Sequence, residues 1–325
     1  MTPMASPVTI SIIVVNFETP SYTLQCIRSI LNNSPAASFE IILIDNGSKD
    51  GSLDFIRSEF PEVICIETGS NQGFSKANNL GINNARGQYV LLLNSDTKIL
   101  DNSLGGMLNY LESHSEVGAV GPRQLNGKGR LQLSWGDFPT LVSEIYRKLI
   151  HHRLSINDFR VRDYLEEKYA DRTEVDWVSG SCLMARKKAL LDAGLLDEHY
   201  FMYFEDIDLC RKIKEGGWGI RYLSDMTILH YGGVSARKNI MRVLVEYRRS
   251  QIYFTRKYYG LNGVLVLKAL LLLKSFVNFF RWGSAFLASS VLLRKKRMKE
   301  SYANLLLNKK TVGLIFGIEP VRVKD

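Results

Sequence analysis

The sequence predicts an α/β protein, a parallel sheet with helices on both faces, followed by an amphipathic helical segment at the C-terminal end. Three observations carry this expectation. Short β-branched apolar runs alternate with segments of helical period over residues 10–94. The ends of those runs are unusually polar, and a long apolar stretch broken by single charges follows residue 261. A chain of 325 residues with 46% hydrophobic content can bury a substantial core, in about two domains or in one α/β domain with an appendage.

The first run, ISIIVV at 10–15, is short, continuous and β-branched, the mark of a strand covered on both faces. A helix should follow, capped by Thr19 or Ser21, with Leu24, Ile27, Ile30 and Leu31 at helical spacing. The pattern repeats: EIILID at 40–45 as a strand, Ser52 to Phe60 as a short helix, VICIE at 63–67 as a strand, Lys76 to Ala85 as a helix, and YVLLLN at 89–94 as a strand. Such alternation implies βαβ units and a parallel sheet. Residues 127–175 are charged and weakly periodic, and they suggest no clear element. Beyond them, DWVSGSCLMARKKALLDAGLLDE reads as a strand turning through Gly180 into a helix that ends near Gly194. FEDIDLCRKIKEGGWG then places Leu209 and Ile213 on one helix face and stops at Gly216-Gly217. IRYL and TILHYGG suggest two short strands, with His230 at the end of the second.

Ligands of open α/β sheets bind outside the carboxyl ends of the strands. Those ends are Asn16, then Asp45-Asn46-Gly47-Ser48, then Asn71-Gln72-Gly73, then Asn94-Ser95-Asp96. No GxGxxG follows the first strand, which argues against a dinucleotide oxidoreductase, and no GxxxxGK[ST] points to a P-loop.

The net charge of +9 is concentrated in the C-terminal third, with Arg237 to Lys257 before the apolar stretch and Arg294 to Lys299 after it. Nucleic acid, an anionic membrane surface or a diphosphate ligand would suit such a surface. Nucleic acid fits worst, because the charges flank an apolar helix and no nucleic-acid module accompanies them. Lys268, Lys274 and Arg281 interrupt residues 261–293 too often for a membrane-spanning helix. Lys274, Asn278 and Arg281, spaced i, i+4, i+7, form a polar stripe that suits a helix lying in the membrane interface, the alternative being a helix packed on the preceding α/β domain or on a second subunit in a homodimer. The cysteines at 26, 65, 182 and 210 lack CxxC spacing and read as reduced core residues. No basic, signal-like segment precedes ISIIVV, so the chain is expected to stay in the cytoplasm.

FEDIDLC at 204–210 crowds three carboxylates into an apolar stretch. Acids are favoured in the first turn of a helix, where unpaired N–H groups attract them, so the cluster is either a helix start or a site. At about 100° per residue, Asp206 and Asp208 point about 160° apart and cannot readily serve one pocket.

Taken in order, SIIVVNFETP, IILIDNGSKDGS, NQGFSKANNLGI, LLLNSDT, VSGSCLMARKKAL, FEDIDLCRK and ILHYGG resemble the GT-A fold, family 2 inverting glycosyltransferases, particularly their bacterial rhamnosyltransferase-like branch. The resemblance covers about residues 8–260. It implies a nucleotide-sugar-binding half over 8–125 and an acceptor-binding and catalytic half over 126–260, while residues 261–325 are expected from their apolar and basic pattern to form a helical membrane-associating region. It implies that Asp45 contacts the nucleobase, although an Asx-type turn cap in DNGS is a rival role, with Asn16, Asn71 and Gly73 around the donor. Asn94-Ser95-Asp96 takes the place of the family's DxD motif, with Asn94 where the first Asp is usual. Asp96 is then the main carboxylate ligand of Mg²⁺ or Mn²⁺, which favour oxygen. His230 either completes the coordination or is structural. Asp206 is the expected catalytic base, with Glu205 beside it, and Arg248 or Arg249 is expected to assist the leaving diphosphate. The implied reaction moves a sugar from dTDP-rhamnose or a UDP-sugar to a lipid-linked saccharide at the inner face of the cell membrane. A sugar nucleotidyltransferase and an inactive membrane-bound scaffold of the same fold are the rivals, and VVNFETP lacks the basic Gly-rich loop that the first should show.

Overall fold

A computed structural model describes residues 8–171, 173–233, 240–291 and 295–317. Arg237, Lys238 and Arg294 of the basic clusters lie outside the described residues. The chain divides into two compact units, residues 1–201 with 205–237 and residues 202–204 with 238–325.

The first unit begins with β1 (Ile10–Asn16), α1 (Pro20–Asn32), β2 (Phe39–Asp45), α2 (Ser52–Glu59), β3 (Ile64–Glu67), α3 (Phe74–Asn84) and β4 (Tyr89–Asn94). The alternation of apolar runs therefore folds as expected. β1 pairs in parallel with β2 and β4, and Asn16 stands opposite Asp45. Both faces of β1 are covered. Ile10, Ile12 and Val14 join Cys26, Ile27 and Ile30 of α1 in one buried cluster. On the other face a Cβ added at Gly81 of α3 would meet Ile13 at 2.5 Å, so only glycine lets α3 come this close.

The remaining elements are β5 (Thr97–Ile99), α4 (Ser103–Ser113), β6 (Val117–Leu125), β7 (Leu131–Gln132), β8 (Trp135–Gly136), α5 (Leu141–Ser155), α6 (Phe159–Lys168), β9 (Trp177–Val178), β10 (Cys182–Arg186), α7 (Lys187–Asp192), α8 (Glu205–Glu215) and β11 (Gly219–His230). The sheet runs β3-β2-β1-β4-β10-β6-β11-β5 and is mixed, not wholly parallel. β10 is antiparallel to both neighbours, and β5 is antiparallel to β11. IRYL and TILH belong to one strand instead of two. The register with β6 slips between Leu223 and Thr227, and the bulge sends Met226 against Gly106 of α4, where a Cβ would lie 2.1 Å from its sulfur.

The sheet must curl. Asn94 ends β4 and Thr97 begins β5, a span of about 10 Å at most. Four strand spacings of about 4.8 Å would separate these strands in a flat sheet. The tripeptide Asn94-Ser95-Asp96 therefore lies where the sheet bends back on itself.

The second unit contains α9 (Ile240–Val291) and α10 (Lys295–Ile315). α9 is broken at Gly260 (φ 62°, ψ −163°), a backbone conformation open to glycine. Its apolar limb and α10 run antiparallel. Asn308 donates to the Ser275 carbonyl at 2.8 Å, and Phe286 faces Tyr302. Val264, Leu267, Leu271 and Ile315 are buried, whereas Leu273, Phe276, Val277 and Phe280 are each more than half exposed. Tyr203 and Phe204 pack on Tyr247, and Phe204 also on Phe254. Among the described residues one helix, Met241–Ser290, is long and apolar enough to cross a membrane by length and composition.

Candidate active site

β1, β2, β4, β6 and β11 point the same way, so Asn16, Asp45, Asn94 and His230 all stand at carboxyl ends of parallel strands. Asn16 is a buried hub. Its Nδ2 donates to Asp45 Oδ1 at 2.8 Å and to Ser48 and Ser52, while its Oδ1 accepts from Thr19 and Thr23. Thr19 thus spends its hydroxyl on Asn16 and makes no side-chain cap to α1. Asp45 Oδ2 accepts from the Ser48 N–H at 3.0 Å, so the turn-capping role foreseen for Asp45 is filled.

Asn46 organises the next turn. Its Oδ1 accepts from the Gln72 N–H at 2.9 Å, and its Nδ2 donates to Asn71 Oδ1 and to the Gly73 carbonyl. Asn71 in turn accepts from the Gly73 N–H. Gly73 has φ +89°, and a Cβ there would lie 2.6 Å from the Phe201 carbonyl oxygen. The sequence places Asn71 and Gly73 around the donor and names Asn46 only as part of a polar strand end, without a role. The signal for Asn46 was its place directly after the strand.

Across the same edge, Asp96 Oδ1 lies 3.3 Å from His230 Nε2, and Asn94 Nδ2 lies 3.4 Å from that nitrogen. His230 Nδ1 lies 3.0 Å from Gln132 Oε1, an acceptor only, so Nδ1 carries the proton. Gln132 donates back to the His230 carbonyl at 2.8 Å. The ring is therefore clamped with Nε2 turned to Asp96. Ser95 Oγ is 3.0 Å from Thr19 Oγ1. Gln124 accepts from Ser181, whose carbonyl bonds the Asn94 N–H, and its own Nε2 is buried with no partner among the described residues. Sequence reasoning missed Gln124 and Gln132, which only strand register brings to this edge. Among the described residues no three His, Cys, Asp or Glu side chains converge as a complete metal cage.

α8 supplies the acids. Tyr203 and Phe204 before it have φ of 69° and 68°, strained for non-glycine residues. Asp206 Oδ2 accepts from the Gly180 N–H at 2.9 Å, and its Oδ1 from the Ile207 N–H. A Cβ at Gly180 would sit 3.3 Å from Asp206 Cβ and 3.4 Å from Phe74, so this glycine makes room for the aspartate. Burial raises the Asp206 pKa, against the two N–H groups that hold the anion. Glu205 is buried, with Oε2 unpartnered among the described residues, and burial followed by the charges of Asp206 and Asp208 pushes it well above the ordinary carboxylate range. Asp208 is fully buried, accepting from the Tyr200 hydroxyl and 3.7 Å from Lys212. The predicted divergence of Asp206 and Asp208 is what the helix produces. Arg248 lies in the second unit on α9, bonded to Gln251.

A family model described as glycosyl transferase family 2 matches residues 11–192. An N-acetylglucosaminyl-diphospho-decaprenol L-rhamnosyltransferase of Mycobacterium tuberculosis is 25% identical over 277 residues, 79% of this chain and 90% of that protein. Rhamnosyltransferase WbbL of Escherichia coli K12 is 27% identical over 228 residues, 68% of this chain and 82% of its own length. Among solved structures, the mannosyltransferase PcManGT from Pyrobaculum calidifontis, in complex with GDP-Man and Mn²⁺, shares the fold with a TM-score of 0.57 at 14% identity, over 95% of this chain and 86% of that one. The curled sheet with its polar carboxyl edge is that of a GT-A glycosyltransferase. The chain belongs to glycosyl transferase family 2.

Proposed function

We propose that this enzyme moves a sugar from a nucleotide-diphosphate sugar, dTDP-rhamnose or a UDP-sugar, to a hydroxyl of a lipid-linked saccharide at the inner face of the cell membrane. The observation that carries the reading is Asp206, held by the Gly180 N–H with a raised pKa, at the start of α8. A carboxylate so poised takes the proton of an acceptor hydroxyl more readily than an ordinary aspartate does. As the hydroxyl oxygen attacks the anomeric carbon, the bond to the diphosphate breaks and its electron pair leaves with the phosphate. Attack from the opposite face inverts the configuration. Burial and the neighbouring charges raise the Glu205 pKa, so beside Asp206 it holds its proton more tightly than an ordinary glutamate does.

Asn16, Asp45, Asn71 and Gly73 form the wall for nucleobase and ribose, with Asn46 holding its turn. On the phosphate side, Asp96 Oδ1 and His230 Nε2 face each other at 3.3 Å, an oxygen and a nitrogen that can both ligate one cation. Two protein ligands suit Mg²⁺ or Mn²⁺, which fill their remaining positions with water and substrate oxygens. When bound, such an ion neutralises charge on the departing diphosphate. Asn94 and Ser95 flank that position. The relatives named as rhamnosyltransferases, one of them for a decaprenol-linked substrate, support this donor and acceptor class.

Thermal unfolding with a panel of nucleotide sugars, with and without Mn²⁺, tests the reading. A dTDP- or UDP-sugar should raise the melting temperature in Mn²⁺, and Asp96→Ala should remove most of that shift. A shift that is the same in metal-free buffer and in the Asp96 variant would sink the metal assignment. No shift with any nucleotide sugar would sink the donor class.

A further inference from the structure

Among the described residues, Tyr203 (φ 69°) and Phe204 (φ 68°) are the one consecutive pair of non-glycine residues at positive φ. Two left-handed residues in a row, neither Gly nor Asn, are costly, and such backbone persists only where its surroundings impose it. The pair falls at a telling place. Asp206 follows Phe204 by two residues, and Met202–Phe204 group with α9 in the second unit, whereas Phe201 and Glu205 on either side belong to the first.

The surroundings that impose the strain lie on α9. Tyr247, Ser250 and Phe254, spaced i, i+3, i+7, share one face of that helix. Ser250 Oγ donates to the Met202 carbonyl at 2.8 Å. The Tyr247 ring meets Tyr203 with centroids 5.6 Å apart and Phe204 at 5.5 Å, and Phe254 meets Phe204 at 5.4 Å. Phe204, Ser250 and Phe254 are buried. Just upstream, the Phe201 carbonyl accepts from the Phe74 N–H at 2.7 Å. The chain is thus pinned before the pair and along it. Just downstream, the Asp206 carboxylate is caught by the Gly180 and Ile207 N–H groups. Were Tyr203 and Phe204 to relax to right-handed or extended backbone, the chain would leave them in another direction and draw Asp206 off the Gly180 N–H.

We propose that Tyr247, Ser250 and Phe254 are positioning residues, which hold Tyr203 and Phe204 left-handed and so seat the Asp206 carboxylate on the Gly180 N–H. Their link to catalysis rests on Asp206 as the base, proposed above. The clamp itself does not. All three residues precede Gly260, so the part of α9 that serves the site is separate from its apolar limb.

Amide hydrogen exchange at Gly180 and Ile207 in the full chain, with no substrate present, reads the seating directly. Tyr247→Ala should speed both by about tenfold or more. Leu271→Ala, at a buried position of α9 beyond Gly260, should destabilise the same unit yet leave both within about twofold of the parent. Asn takes left-handed backbone far more readily than Tyr, so Tyr203→Asn added to Tyr247→Ala should slow the exchange again by about threefold or more. Unchanged exchange in a folded Tyr247→Ala protein, equal acceleration by Leu271→Ala, or no recovery in the double variant would overturn the clamp. Should Tyr247→Ala not fold, Ser250→Ala, which removes the hydroxyl bonded to Met202, takes its place, and no acceleration there would overturn the clamp as well. In sugar transfer, Tyr247→Ala should lower kcat and leave the donor KM within about twofold. A raised KM with kcat unchanged would overturn the positioning role. Because the exchange measurement needs no substrate, failure of the clamp and failure of Asp206 as the base are separate results.

Discussion

Glu205 and Asp206 are neighbours in sequence whose carboxyls meet opposite surroundings, one buried with no partner for Oε2 among the described residues, the other held by two backbone N–H groups. Asp206→Asn is nearly isosteric but cannot take a proton, so transfer should fall by about 10²–10⁴-fold while donor binding persists. Activity above a tenth of the parent's would reject Asp206 as the base. Because its pKa is raised, the acid limb of kcat/KM should lie above the ~3.9 of an ordinary aspartate. Glu205 carries a stability consequence. A carboxyl whose pKa is higher folded than unfolded binds its proton more tightly in the native state. Its stabilising effect is full below the unfolded value and is lost as pH rises through the folded one. Melting curves of the parent at pH 5 and pH 8 should therefore differ more than those of Glu205→Gln, which has no proton to lose. An equal pH dependence would show that Glu205 is not held neutral.

At the scale of elements, turns set the site as much as strands do. Gly73 opens α3 with φ +89° and its Cα close to the Phe201 carbonyl. Gly73→Ala should cost about 1–3 kcal/mol in urea unfolding through backbone strain and crowding. Gly51→Ala, also at positive φ but in open space, should cost less; equal losses would rule out the Phe201 contact as a cause. Elements whose identity depends on local pattern were legible beforehand: β1 to β4, the helices between them, and α8 with its glycine stop. Those that depend on partners were not. β10 stands where the sequence suggests the first turns of the helix after Gly180, and only its pairing between β4 and β6 reveals a strand, and one of reversed direction. IRYL and TILH look separate because polar Ser224 and Asp225 fall in the bulge that joins them. α5 and α6 escape notice because their exposed faces carry aromatics, Tyr146, Phe159 and Tyr164, which blur the amphipathic period. The site followed the same division. Asn16, Asp45, Asn94, Asp96, His230 and Asp206 stand at element ends and could be named, whereas Gln124 and Gln132 reach the edge through long-range register alone.

At the scale of the whole molecule, the apolar limb of α9 and the basic residues at the start of α10 predict attachment to anionic membranes. Each basic residue near the surface adds up to about 1 kcal/mol, and the apolar face adds a part that salt does not screen. The full chain should co-sediment with anionic vesicles, leave them partly in high salt and further in detergent, and truncation at Gly260 should abolish sedimentation. Undiminished binding of the truncated protein would assign residues 261–293 to packing or self-association instead. The curl of the sheet has a different consequence. Asn94, Ser95 and Asp96 are the strap of a buckle whose frame is β4 on one side and β5, paired to β11, on the other. A ligand gripping Asp96 and His230 would fasten both sides at once, so occupancy would be felt at the rim of the sheet as much as in the pocket. Amide hydrogen exchange should register it there: the N–H groups of Thr97 to Ile99 and Ile228 to His230 should slow when a nucleotide sugar and Mn²⁺ are added together, while those of β3, on the opposite rim, keep their pace.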